Sequence, residues 1–174
     1  MTRRRSTLIA TGAAALALTA CAVAEPAGAS DPSPAPVSGG GERRVAIAFE
    51  SGPPAFLRVD QKGTLVGWAE ITGRSLFVLV PDGHRYRIRT AWAPACLGVR
   101  RNDHGPATVV AAVCRAEAKG QVFTFTRTGD HDSQGRRTYR ITTNAGTLVF
   151  NSRDGLHVEP RDDLDVTGFA VLDR

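Results

Sequence analysis

Cys96-Leu97-Gly98-Val99, the apolar run Thr108-Val109-Val110-Ala111-Ala112-Val113 leading into Cys114, and Gln121-Val122-Phe123 belong to one pattern. The two cysteines stand 18 positions apart, each against a short strand-like segment, as expected of two strands joined by a clamp. Outward from this stretch the pattern repeats. Phe77, Phe123 and Phe169 are spaced by 46 and 46 residues, within Leu76-Phe77-Val78-Leu79, Val122-Phe123-Thr124-Phe125 and Gly168-Phe169-Ala170-Val171. Self-similarity at a fixed period is the mark of a repeat architecture. Ahead of each Phe comes a pair of strand-like runs: 56–59 with 64–66, 96–99 with 109–110, and 147–150 with 156–158.

Each unit also opens on an alternating run, Val45-Ala46-Ile47-Ala48-Phe49, Tyr86-Arg87-Ile88-Arg89 or Tyr139-Arg140-Ile141-Thr142. Turn chemistry separates the runs, at Gln61-Lys62-Gly63, Pro81-Asp82-Gly83 and Asp154-Gly155. The spacing predicts an all-β fold of three four-stranded units, twelve strands, over residues 44–174. One such unit cannot bury its apolar face alone, whereas three around an axis share a core and leave no open sheet edge. The three Phe side chains are therefore expected in that core. The polar stretch 129–135 reads as a solvated loop, because it lacks the length and closing Glu of an EF-hand.

The Cys-Leu-x-Val strand, the strand ending in Cys and the Gln-x-aromatic signature resemble a ricin-type β-trefoil lectin domain, with Phe123 where that family has Trp. The resemblance implies carbohydrate binding, to a glycan or a cell-wall polysaccharide. In a sugar-competent unit of the family an Asp lies two places after the first Cys, an aromatic two places before the second, and an Asn before the Gln. The second unit has Gly98, Ala112 and Gly120 at these places. The third has Val149 for the Asp and His157 for the aromatic, and the first has Arg58 for the Asp. Only in the first unit is a ring retained, Trp68, two positions before Glu70, the counterpart of the second cysteine. The resemblance thus points to one weak pocket, with Trp68 stacking on a sugar and Asp60 or Glu70 accepting hydroxyl hydrogens. Trp92, in a loop, is a further ligand-binding candidate.

The N-terminus reads differently. Three arginines at 3–5 precede an apolar stretch over 8–20, as in an export signal over residues 1–24. Leu18-Thr19-Ala20-Cys21 resembles a bacterial lipobox, which would lipidate Cys21 and make it a membrane anchor; Ala-x-Ala sites at 22–24 and 27–29 offer cleavage and free secretion instead. Residues 25–43 are rich in Pro, Ser and Gly and read as a disordered tether. Export leaves two cysteines, so parity in an oxidising compartment pairs Cys96 with Cys114.

From Glu42 onward there are 19 Lys and Arg (22 less Arg3, Arg4 and Arg5) against 15 Asp and Glu (17 less Glu25 and Asp31). That interspersed balance, without a basic helix, is not a nucleic-acid footprint. No nucleophile motif, phosphate loop or zinc spacing occurs, and the acidic run 162–165 reads as a solvated loop. The expectation is an exported, monomeric, non-catalytic module needing no cofactor or metal. A loop-presenting trefoil that binds an extracellular protein, such as a protease, is the alternative.

Overall fold

The computed structural model describes residues 41–51, 53–160 and 167–174. The expected signal, Cys21, the tether ahead of residue 41 and the acidic run 162–165 lie outside the described residues. Among the described residues there are twelve strands, four to a unit, in the order expected. The first unit comprises β1 (Arg43–Glu50), β2 (Pro54–Val59), β3 (Leu65–Trp68) and β4 (Phe77–Asp82). The second comprises β5 (Arg85–Thr90), β6 (Ala95–Arg100), β7 (Thr108–Val113) and β8 (Thr124–His131), and the third β9 (Arg137–Thr143), β10 (Gly146–Asn151), β11 (Gly155–Glu159) and β12 (Phe169–Asp173). Short 3-10 turns at Gly73–Ser75 and Lys119–Gln121 precede the fourth strands of units one and two.

The strands follow the period-2 pattern of half-buried sheet: Ala55, Leu57 and Val59 are buried while Phe56 and Arg58 between them are partly exposed. β1 departs from it, with Val45 through Phe49 all buried, because it pairs with β2, β4 and β12 at once. First and fourth strands make a closed circuit, β1-β4-β5-β8-β9-β12 and back to β1. The threefold register lies in the three Phe residues. Phe77 pairs with Val45, Phe123 with Tyr86 and Phe169 with Tyr139, each joining the fourth strand of a unit to its own first strand. All three are at most 1 % exposed, and they fill the barrel with Ile47, Leu79, Ile88 and Ile141.

The remaining strands form three hairpins, β2–β3, β6–β7 and β10–β11, that meet over one end of the barrel. Two bridges tie them, Thr64 with Val110 and Ala107 with Val158. Cys96 and Cys114 are disulfide-bonded, their Cα atoms 4.9 Å apart. Buried Gln121 adds a second clamp to the same hairpin, donating to the Val113 carbonyl and accepting from the Arg115 amide, both at 2.8 Å.

Two boundaries differ from expectation. β1 opens at Arg43, whose backbone pairs with Leu79 and whose guanidinium meets Asp173. β8 continues to His131, into the stretch expected to be loop, because a register shift between Arg127 and His131, with Gly129 at φ +89°, lets the strand resume its pairing with β9.

Candidate ligand-binding groove

Trp68 ends β3 and pairs with Phe56. Arg58, opposite Val66, is therefore its diagonal neighbour on the same face, and the guanidinium sits 4.2 Å over the Trp68 ring. One face of the indole is covered, yet the residue remains 48 % exposed. Trp68 stands on the wall of a groove of about 540 Å³. Its apolar lining is Pro53, Pro54, Val66 and Phe150, and its floor rests on Phe49, which packs against Phe150 and Phe169 with ring centroids 5.2 and 5.8 Å away. The polar side chains at the groove are Ser51, Thr64, Thr108 and Asp154. Residues from all three units thus build one site, which falls within the size range of ligand pockets. The Thr108 hydroxyl is buried and has no hydrogen-bond partner among the described residues, so this wall holds an unspent polar group.

The expected acceptors are elsewhere. Asp60 Oδ1 accepts from the Lys62 and Thr64 amides at 2.8 Å and shapes the β2–β3 turn. Glu70 is exposed in the segment after β3, and neither residue lines the groove. Trp92 is 44 % exposed in the β5–β6 turn, held there by Arg74 at 4.7 Å from its ring centroid and by Thr90, whose hydroxyl donates to the Ala93 carbonyl at 2.7 Å.

His157 requires a correction. The β10–β11 register pairs Thr147 with Glu159 and Val149 with His157, so the position equivalent to Trp68 belongs to Glu159. His157 instead matches Val66 and Val110. It is 1 % exposed, with Nδ1 2.9 Å from the Gly155 carbonyl oxygen and Nε2 2.9 Å from Glu159 Oε1. Val149, at the family's Asp position, is buried. In the second unit a Cβ on Gly98 would lie 3.0 Å from Gln121 Cγ, so the clamp occupies the room an Asp side chain would need.

In the turn between β8 and β9, Asp132 Oδ1 accepts from the Gln134 and Arg136 amides at 3.0 and 2.8 Å, and Oδ2 from Arg136 Nε at 2.6 Å. Burial raises the Asp132 pKa, but these hydrogen bonds and the Arg136 charge outweigh it and hold the carboxyl below its ordinary range. No group of three or more His, Cys, Asp or Glu side chains is placed to hold a metal among the described residues.

The sequence matches no protein-family model and no curated protein. Solved structures do resemble it. A salivary protein from Culex quiquefasciatus of the Cysteine and Tryptophan-Rich (CWRC) family has a TM-score of 0.61 at 11% identity, over 79% of this chain and 98% of that one. The BEL beta-trefoil gives 0.53 at 18% identity, over 79% and 96%. The Polyporus squamosus lectin, solved bound to the human-type influenza-binding epitope Neu5Aca2-6Galb1-4GlcNAc, gives 0.56 at 12% identity, over 78% of this chain and half of that one. At these identities the likeness is one of fold, and the fold is a β-trefoil.

Proposed function

We propose that the domain is a non-catalytic carbohydrate-binding module whose single site is the groove beside Trp68. The observation that carries this is the half-exposed indole on the wall of an open groove edged by hydroxyls and one carboxylate. A sugar ring offers C–H faces to stack on an indole and hydroxyls that both donate and accept; Ser51, Thr64 and Asp154 supply the partners. Arg58 on the opposite face fixes the indole plane in advance, which lowers the ordering cost of binding. Units two and three lack the ring, with Ala112 and Glu159 at the position of Trp68, so their pockets are degenerate. A β-trefoil neighbour solved with a glycan supports the class of ligand.

The same reading makes the protein an exported monomer, anchored by Cys21 or released after signal cleavage; the Cys96–Cys114 disulfide suits an oxidising compartment. A second reading rests on Trp92, exposed and braced by Arg74 in a turn outside the groove, which fits a loop that docks on an extracellular protein such as a protease. A glycan array alongside a protease-inhibition panel separates the two. For the carbohydrate reading, Trp68→Ala lowers affinity for the best array ligand by at least about tenfold while unfolding stays cooperative. Glycan binding undiminished in a folded Trp68→Ala variant excludes this site, and inhibition lost on Trp92→Ala establishes the alternative.

A further inference from the structure

A second cavity, of about 590 Å³, adjoins the first. It is lined by Arg101, Asn102 and Pro106 from the β6–β7 turn and by Val158, Glu159 and Asp154 from the third unit. Asp154 lines both cavities. Ala107 and Thr108 are successive in the chain and line one cavity each, and on the strand bridged to them so do Val158 and Leu156. The two spaces therefore meet where the third hairpin touches the second.

Resting on the carbohydrate reading, we infer that the two cavities form one extended site that takes a neutral oligosaccharide segment across the hairpins, with Asp154 at its midpoint. Their chemistry differs as successive subsites would. The first offers the Trp68 ring and apolar walls, on which a sugar face stacks. The second offers a guanidinium donor from Arg101, carboxylate acceptors from Asp154 and Glu159, and the Asn102 amide, which does both. Glu159 Oε1 is steadied by His157 Nε2 at 2.9 Å, and so a buried imidazole holds that acceptor in place. Mixed charge of this kind suits a hydroxyl-rich neutral chain. A sulfated or carboxylated one would face two carboxylates, and a polycation would face Arg101.

The test is a length series: glucose, N-acetylglucosamine and mannose, each with its β1-4, β1-4 and α1-2 linked oligomers up to the hexamer, titrated calorimetrically against the disulfide-intact protein. One series gains at least about tenfold in affinity between the dimer and the longer members. Arg101→Ala, whose side chain is exposed and lines the second cavity alone, abolishes that gain and leaves the dimer affinity unchanged. Trp68→Ala weakens every length. Equal affinity for dimer and hexamer, or a length gain that survives Arg101→Ala, overturns the extended site while the Trp68 groove stands. Binding by no member of any series overturns both.

Discussion

Gly67 sets how closely the aromatic floor approaches β3. A Cβ at this position would lie 2.7 Å from Cζ of Phe49, a ring that is buried and wedged between Phe150 and Phe169. Gly67→Ala is therefore expected to cost about 1–3 kcal/mol through displacement of that ring, read as a lower urea midpoint with an unchanged slope. An unaltered midpoint would show that the ring has room to retreat. Trp68 could be picked out as a candidate ring from its spacing to Glu70, but the groove it lines could not, since Ser51, Thr108 and Asp154 come from segments far apart in the chain. His157 was misplaced for a local reason. Paired positions lie equally far apart in units one and three, Phe56 with Trp68 (68 − 56 = 12) and Thr147 with Glu159 (159 − 147 = 12), so a count that stops at His157 falls two residues short.

Among the elements, the β8–β9 hairpin is the acid-sensitive one. The Asp132 carboxyl, held below its ordinary pKa, contributes stability that is complete above the unfolded value near pH ~4 and is lost as pH falls through the folded one. Asp132→Asn should flatten the fall in stability between about pH 4 and pH 2 in denaturant titrations; a curve parallel to that of the parent would refute the assignment. Glu50 titrates in the same direction, its pKa lowered by hydrogen bonds from Ser133, whose amide lies 2.5 Å from Oε1. The β6–β7 hairpin carries the covalent clamp. Replacing Cys96 and Cys114 together by Ala should cost about 3 kcal/mol on the chain-entropy model, with the strand content by circular dichroism retained because Gln121 still fastens the hairpin to the segment behind it. Loss of all strand signal would mean that the bond is required for folding. Strands themselves could be read from period-2 alternation, whereas the extension of β8 could not: Gly129, Asp130 and His131 have loop composition, and only the pairing of His131 with Arg137 beyond the register shift carries the strand through them.

At the scale of the molecule, the barrel holds because every first strand has a neighbour on each side. Removing residues 168–174 deletes β12 and leaves β1 and β9 with open edges, while Phe169 leaves a void under Phe49. Such a truncation should lose its cooperative thermal transition and aggregate; a sharp transition would show that two units and a fragment suffice. The threefold scheme was evident in the Phe spacing because loop lengths between consecutive fourth strands happen to sum alike, although the first-strand partners Val45, Tyr86 and Tyr139 are unevenly spaced. Closure of β12 on β1 has one more result. Arg174 donates its amide to the Arg44 carbonyl at 3.0 Å, so the first and last residues of the fold are adjacent. A few-residue linker could join them and the chain could be reopened in the exposed 101–106 turn, leaving a circular permutant with the same barrel. What the fold requires is the cyclic order of its strands, and the point at which that circle is cut is a matter of genetics rather than of packing.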